Sequence, residues 1–84
     1  MNNSSLKEVV ETIAKALVDQ PGEVVVSEID EEGATVLELR VASEDLGKVI
    51  GKQGRTAAAL RTLASSAGER GNKPVTLEIR EGRP

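Results

Sequence analysis

The sequence predicts an α+β fold in which helices cover one face of a three-stranded sheet. Helical stretches carry apolar residues at i, i+3 and i+4 spacing, three other stretches carry alternating or β-branched apolar residues, and glycines and prolines separate them. The predicted element order is α-β-β-α-α-β. The 84 residues fit a single domain over residues 1–84, with an ordered core over about residues 5–80 and a loose tail at 81–84.

The first helix is predicted over residues 5–18. Ser5 and Glu8 fit the capping box, in which each side chain satisfies a backbone donor of the other residue. Gln20-Pro21-Gly22 follows and predicts the end of this helix. The apolar stripe of the helix consists of Leu6, Val9, Val10, Ile13, Ala14 and Leu17.

A β-hairpin is predicted next. Residues 23–29 contain three consecutive valines, and in residues 35–41 apolar side chains alternate with Glu38 and Arg40. Asp30-Glu31-Glu32-Gly33 lies between these stretches and predicts an acidic, solvated turn.

The second half of the chain predicts two helices and a last strand. The acids at 44 and 45 follow Ser43 and supply N-cap chemistry for a short helix through residues 46–50. A longer helix is predicted over residues 55–67, with Gly68 and Gly71 bracketing its end, and a strand begins after Pro74. The apolar stripe of the longer helix consists of Ala57, Leu60, Leu63, Ala64 and Ala67. The residues assigned outright to the core are Leu37, Leu39, Leu60, Leu63, Leu77 and Ile79.

The composition excludes several function classes because the atoms that they require are missing. The chain has no Cys, His, Phe, Tyr or Trp. This excludes zinc fingers, thiol chemistry, histidine acid/base catalysis and the stacking of bases on aromatic rings. The acids nearest to the glycine loop described below, Glu44 and Asp45, have no nucleophile or base as partner. We therefore expect a protein that is not an enzyme, with no catalytic residue, no metal, no cofactor and no small-molecule substrate.

The distribution of apolar residues also predicts the location of the protein. No apolar run approaches the roughly 20 residues that a membrane-spanning helix needs. Met1 is followed by four polar residues, and this start lacks the basic and apolar regions of a signal peptide. A cytoplasmic protein without a membrane partner is expected.

Positive charge is concentrated in one segment of an acidic chain. The net charge is −3, but residues 46–68 contain four cations and no acid, which leaves −7 on the remainder. The four cations are Lys48, Lys52, Arg55 and Arg61. They surround the sequence Gly51-Lys52-Gln53-Gly54, which links the two helices of the second half.

This glycine loop predicts an anion site. Glycines lack a Cβ atom and allow close approach to the backbone, and the helix that follows presents unpaired N–H groups and a positive dipole end. A nucleotide-binding P-loop fits poorly, because the glycine spacing is one residue short and Gln53 stands where Ser or Thr would hold magnesium. A dinucleotide fold fails because no Gly-x-Gly-x-x-Gly follows a strand. A phosphodiester backbone is the expected ligand.

The loop and its flanks resemble the KH domain. Val49-Ile50-Gly51-Lys52-Gln53-Gly54-Arg55 matches the KH signature, and the α-β-β-α-α-β order is that of type II KH domains. The leading helix, the short chain and residues 46–55 are similar to the KhpA family of small bacterial single-domain KH proteins, over about residues 6–80. One difference is Ala57, because KH proteins often carry a large aliphatic residue there, which implies a shallower groove for bases.

The resemblance implies a function and partners. It implies a cytoplasmic protein that binds single-stranded RNA and acts as an RNA chaperone in post-transcriptional regulation, with links to cell shape, division and cell-wall synthesis. It also implies a homodimer, a heterodimer with a larger KH-containing protein (KhpB), or both. The alternative is a protein-interaction adaptor with little RNA affinity of its own. Single-stranded DNA also stays open as a ligand, since no residue identifies a reader of the 2′-hydroxyl.

Eight residues are the candidate RNA contacts, and three others form a candidate dimer face. About four nucleotides are expected beside the helix that follows the loop. Lys48 and Arg55 are expected to steer phosphates, Val49 to line the groove and Ile50 to belong to the core. The eight candidates are Lys48, Val49, Ile50, Gly51, Lys52, Gln53, Gly54 and Arg55. The small, uncharged residues Ala58, Thr62 and Ser65 are predicted to pack against a second copy or a related KH domain.

Overall fold

A computed structural model describes residues 3–82, with side chains from residue 6 onward. It contains three helices and three strands in the order α1, β1, β2, α2, α3, β3, which confirms the predicted α+β class and element order. The helices are α1 (Asn3–Leu17), α2 (Leu46–Ile50) and α3 (Arg55–Arg70). The strands are β1 (Val25–Glu31), β2 (Ala34–Val41) and β3 (Val75–Glu81), and short 3-10 turns occupy Pro21–Glu23, Ser43–Asp45 and Lys52–Gly54.

The sheet is mixed, with β2 at its centre. β1 pairs with β2 in antiparallel fashion through a tight turn, so that Val26 lies opposite Leu39. β3 pairs with the other edge of β2 in parallel fashion, with Leu37 opposite Leu77. Because parallel strands need a crossover connection, α2 and α3 both fall between β2 and β3 in the chain. The loop that joins the two helices is therefore part of this crossover.

The core lies between the sheet and the helices. Along β2, side chains alternate between fully buried and half-buried positions, as expected for a sheet covered on one face. Buried residues of all three strands and all three helices form one cluster, consisting of Leu6, Val10, Ala14, Val24, Val26, Leu37, Leu39, Val41, Val49, Leu60, Ala64, Val75 and Leu77. Ile79 is partly buried against this cluster. The core assignment of Leu63 is wrong, because its side chain is 41% exposed on the outer side of α3.

Element boundaries differ from the predicted ones at three places. α1 begins at Asn3, so Ser5 lies inside the helix rather than at its cap, and the expected contact of its side chain with Glu8 lies outside the described side chains. β1 begins and ends two residues later than predicted, and the hairpin turn consists of Glu32 and Gly33 alone. The predicted loose tail over residues 81–84 is wrong at Glu81, which ends β3, and its last two residues lie outside the described part.

Gly68 lies inside α3 rather than at its end. The helix continues to Arg70, and Gly71 follows as its C-cap. A Cβ atom on Gly68 would lie 2.7 Å from the carbonyl oxygen of Lys73 and 2.7 Å from the backbone nitrogen of Val75. The glycine is therefore required because the chain returns against the helix at the start of β3.

No helix within residues 3–82 is long and apolar enough to span a membrane.

Candidate nucleic-acid interface

The loop between α2 and α3 has an unusual backbone. Gly51, Gln53 and Gly54 all adopt positive φ, at 79°, 57° and 74°. Two hydrogen bonds fix its ends, since Gly51 N donates to Gly47 O at 2.9 Å and Gly54 N donates to Gly51 O at 3.1 Å. The loop is thus a tight turn held to α2, with its tip directed away from the core.

The two loop glycines meet different surroundings. A Cβ atom on Gly51 would lie 2.3 Å from Oγ1 of Thr56, so the space that this glycine leaves is filled by the protein itself. A Cβ atom on Gly54 would meet nothing within 4 Å. The open approach to the backbone that the sequence predicts therefore exists at Gly54 and not at Gly51.

The polar side chains of the loop are free to contact a ligand. Lys52, Gln53 and Arg55 are all exposed. Among the side chains described, Lys52, Arg55 and Arg61 form no ion pair within 4 Å. Because Arg55 is also the first residue of α3, these cations add to the positive end of the helix dipole.

Lys48 differs from the other cations because it is already paired. Its Nζ lies 3.2 Å from Oδ2 of Asp19 and 3.7 Å from Oδ1 of Asp45. The hydrogen bond with Asp19, its charge and the charge of Asp45 raise the pKa of Lys48, although partial desolvation opposes them. The expected role of Lys48 in steering phosphates must therefore compete with these two carboxylates.

Asp45 anchors the start of α2 to the end of α1. Its side chain is 1% exposed, and its two oxygens accept hydrogen bonds from Asp19 N at 3.1 Å and Gln20 N at 3.0 Å. The predicted N-cap role is wrong, because neither Ser43 nor Asp45 makes a side-chain cap bond to its own helix. Sequence reasoning missed this contact since nothing in the sequence links residues 19 and 45.

The expected roles of Val49 and Ile50 are reversed. Val49 is fully buried and belongs to the core, whereas the side chain of Ile50 is 38% exposed. A five-residue helix that presents one residue to the core at Val49 turns the next residue outward. Ile50 therefore presents an exposed aliphatic side chain directly before the loop.

A cleft of about 570 Å³ lies at the other end of α3. It is an open depression at the surface, lined by the last turns of the helix and the start of β3, and most of its lining residues are polar. The lining residues are Ser65, Gly68, Glu69, Asn72, Lys73, Pro74, Val75 and Thr76. None of its lining residues belongs to the glycine loop.

The candidate dimer residues lie on the exposed side of α3. Ala58, Thr62 and Ser65 are all exposed, as expected. The hydroxyl of Thr62 donates to the carbonyl of Ala58 at 3.0 Å, so this polar group is satisfied within the helix. Leu63, which the sequence placed in the core, is also exposed, but it lies about 100° or more around the helix from these three residues.

The sequence matches one family model and many named relatives. The family model described as KhpA/KhpB, KH domain, matches residues 7–79. The RNA-binding protein KhpA of Clostridium acetobutylicum is 57% identical over 74 residues, which cover 88% of this chain and 99% of that protein. The RNA-binding protein KhpA of Aquifex aeolicus is 54% identical over 78 residues, covering 93% of this chain and 99% of the relative.

Two solved structures resemble the fold at low sequence identity. Era in complex with MgGDPNP and a segment of 16S ribosomal RNA matches with a TM-score of 0.57 and 19% identity, over 90% of this chain and 29% of Era. Era from Aquifex aeolicus bound to GDP and aluminium fluoride matches with a TM-score of 0.55 and 17% identity, over 94% of this chain and 33% of Era. The chain thus corresponds to about a third of those proteins, and the likeness concerns the fold alone.

Proposed function

The chain belongs to the KhpA/KhpB family of KH-domain proteins, and from this premise we propose that it binds single-stranded RNA by gripping the phosphate backbone at Gly51–Gly54. The observation that carries the proposal is the loop itself. Exposed Lys52 and Arg55 flank a backbone that is open at Gly54, directly before the N-terminus of α3. Phosphate oxygens are the acceptors that such an arrangement suits.

In the proposed binding mode, one set of groups supplies affinity by contacting phosphates, and another set contacts the bases. Lys52, Arg55 and Arg61 supply the charge, and Gln53 at the tip offers an amide to a phosphate or sugar oxygen. Bases lie along the groove beside α3 and contact Ile50 and backbone groups, since the chain has no aromatic residue on which a base could stack. RNA is favoured over single-stranded DNA because the relatives are named for RNA binding.

Charge reversal at the loop tip tests this proposal. The double variant Lys52→Asp, Gln53→Asp should abolish the binding of a short oligouridine without changing the folded structure. The matched control is Lys15→Asp, Thr12→Asp on exposed positions of α1, which changes the net charge by the same amount. With three phosphate contacts, log K should fall against log salt with a slope of about −2, at about −0.7 per contact. Unchanged affinity in the loop variant would refute the site.

A second function, protein–protein association, is supported by the exposed side of α3. Ala58, Thr62 and Ser65 are small, uncharged and exposed, and their spacing places them on one side of the helix. We propose that this face packs against a second copy or against a larger KH-containing partner such as KhpB. Sedimentation equilibrium of the wild type and of Ala58→Glu tests self-association, and a pure monomer for the wild type at high micromolar concentration would exclude it. Pull-down with and without nuclease separates an adaptor from an RNA-dependent complex.

The cellular role that family resemblance implies is that of an RNA chaperone. We propose a cytoplasmic, non-enzymatic regulator that acts after transcription, with effects on cell shape, division and cell-wall synthesis. Crosslinking in cells of the wild type and of the loop charge-reversal variant tests this role. RNA recovered equally with both proteins would contradict it.

A further inference from the structure

Thr56 occupies the space that the missing side chain of Gly51 leaves. An ideal Cβ atom on Gly51 would lie 2.3 Å from Oγ1, 2.7 Å from Cβ and 3.0 Å from N of Thr56. Thr56 is the second residue of α3, and it is half-buried although its neighbour Arg55 is exposed. We propose that Thr56 is the positioning residue of the RNA-gripping loop, an inference that rests on the proposed function.

Gly51 is the fixed point from which the loop projects. Its N–H donates to Gly47 O, and its carbonyl accepts the N–H of Gly54. Its φ of 79° and ψ of 172° lie in a region that is essentially restricted to glycine. The Thr56 contact closes the remaining side of this residue, so that the first glycine of the loop is held by α2, by Gly54 and by α3.

Thr56 acts by shape rather than by hydrogen bonding. Among the described side chains, its hydroxyl forms no hydrogen bond. Its branched Cβ restricts the side chain to few rotamers, which suits a residue that has to hold a neighbour in place. Lys52 and Gln53 lie between Gly51 and Gly54, so the placement of these exposed side chains depends on how Gly51 is held.

Three variants at position 56 separate shape from hydroxyl chemistry. Thr56→Ala keeps Cβ but removes Oγ1, the atom nearest to the space at Gly51, and should weaken oligouridine binding about tenfold, which corresponds to about 1.4 kcal/mol. Thr56→Val keeps the shape and should stay within about twofold of the wild type, and Thr56→Ser should fall between the two. Thr12→Ala is the control, since it changes the same residue type at an exposed position of α1, away from the loop and from the proposed dimer face. Urea unfolding of each variant shows whether the fold is intact.

A double-mutant cycle with Gly51→Ala measures the contact itself. The backbone strain of an alanine at position 51 and its close approach to Cβ of residue 56 are present in both backgrounds and cancel, whereas the collision with Oγ1 of Thr56 is present only in the wild type. Gly51→Ala should therefore cost less RNA affinity in the Thr56→Ala background than in the wild type. Additive losses would contradict the positioning role.

The outcomes distinguish this inference from the proposed function. If Lys52→Asp, Gln53→Asp abolishes binding while Thr56→Ala leaves it unchanged, the positioning role is wrong and the loop site stands. If Thr56→Val binds as weakly as Thr56→Ala, the hydroxyl contacts RNA and the shape argument is overturned. If neither the loop variant nor Thr56→Ala changes affinity, the proposed function itself fails.

Discussion

Lys48 of α2 forms an ion pair with Asp19, which follows the end of α1, with 3.2 Å between Nζ and Oδ2. The pair lies at the base of the short helix that leads into the glycine loop. An acid from a distant part of the chain therefore neutralises one of the four cations that the sequence places around this loop. The proposed RNA site is less positive than a count of its lysines and arginines indicates.

Removing the acid should strengthen RNA binding. In Asp19→Asn, Lys48 keeps only its longer contact with Asp45 and becomes available to a phosphate. Reduced local negative charge near a surface is worth a fraction of 1 kcal/mol, so we expect oligouridine affinity to rise about two- to threefold at low salt. Fluorescence anisotropy measures this change. Glu32→Gln in the hairpin turn is the control with the same charge change, and an equal rise there would show that only net charge matters.

Loss of the Asp45 carboxylate should destabilise the fold. In Asp45→Ala, the backbone N–H groups of Asp19 and Gln20 lose the carboxylate oxygens that accept their hydrogen bonds. This carboxylate is buried in the wild type. We expect a loss of about 2–3 kcal/mol in the free energy of unfolding, measured by urea denaturation. Glu44→Ala, at the neighbouring exposed position, should change stability by less than about 1 kcal/mol. Equal effects of the two variants would contradict the anchoring role of Asp45.

Two glycines of the helical segments should respond to alanine in opposite ways. Gly68→Ala places a Cβ atom against the backbone of Lys73 and Val75 and should cost about 1–3 kcal/mol, since β3 has to shift. Gly47→Ala in α2 meets nothing within 4 Å and should gain about 0.5–1 kcal/mol from the higher helix propensity of alanine. Thermal unfolding of both variants measures the two signs, and a stabilised Gly68→Ala would show that the chain is not packed this closely.

The negative charge of Asp30 should stabilise the folded protein at neutral pH but not in strong acid. Hydrogen bonds from Thr35 and Lys73, and the charge of Lys73, hold the pKa of Asp30 below its ordinary value of 3.8. The pKa of Asp30 is lower in the folded protein than in the unfolded chain. The ionised carboxylate therefore stabilises the fold fully above the unfolded pKa, and this contribution is lost as the pH falls through the folded pKa. Asp30→Asn should therefore have a lower Tm than the wild type at about pH 6, and the difference should shrink as the pH falls below 3.8 through the folded pKa. A difference that persists in acid would point to a cause other than this charge.

Periodicity predicted the elements because each of them is encoded locally. The alternation in β2, the helical stripe of α3 and the glycines between α2 and α3 each occupy a few consecutive residues. The prediction of one domain over residues 1–84 stays a prediction. What the sequence could not predict are contacts between residues far apart in the chain, such as Asp45 with the end of α1 and Gly68 with the start of β3.

The errors at the candidate site have the same origin. A one-residue difference in helix rotation decides whether Val49 or Ile50 points inward, and only packing against the sheet fixes that rotation. Leu63 lies at the edge of the apolar stripe of α3. The apolar pattern of the sequence includes this residue, but the buried surface of the helix does not reach it. The difference between Gly51 and Gly54 depends on the side chain of Thr56, which no glycine motif specifies.

The proposed RNA site is tested most directly by mapping backbone amide shifts in ¹H–¹⁵N spectra while a short oligouridine is added. Binding at the loop predicts that the largest shifts belong to Gly51–Thr56 and to Ile50, with smaller ones along α3 toward its C-terminal cleft. The same titration of Lys52→Asp, Gln53→Asp should leave the spectrum unchanged. Shifts confined to α1 or to the outer face of the sheet, with the amides of Gly51–Thr56 unmoved, would contradict the proposal that this loop grips RNA.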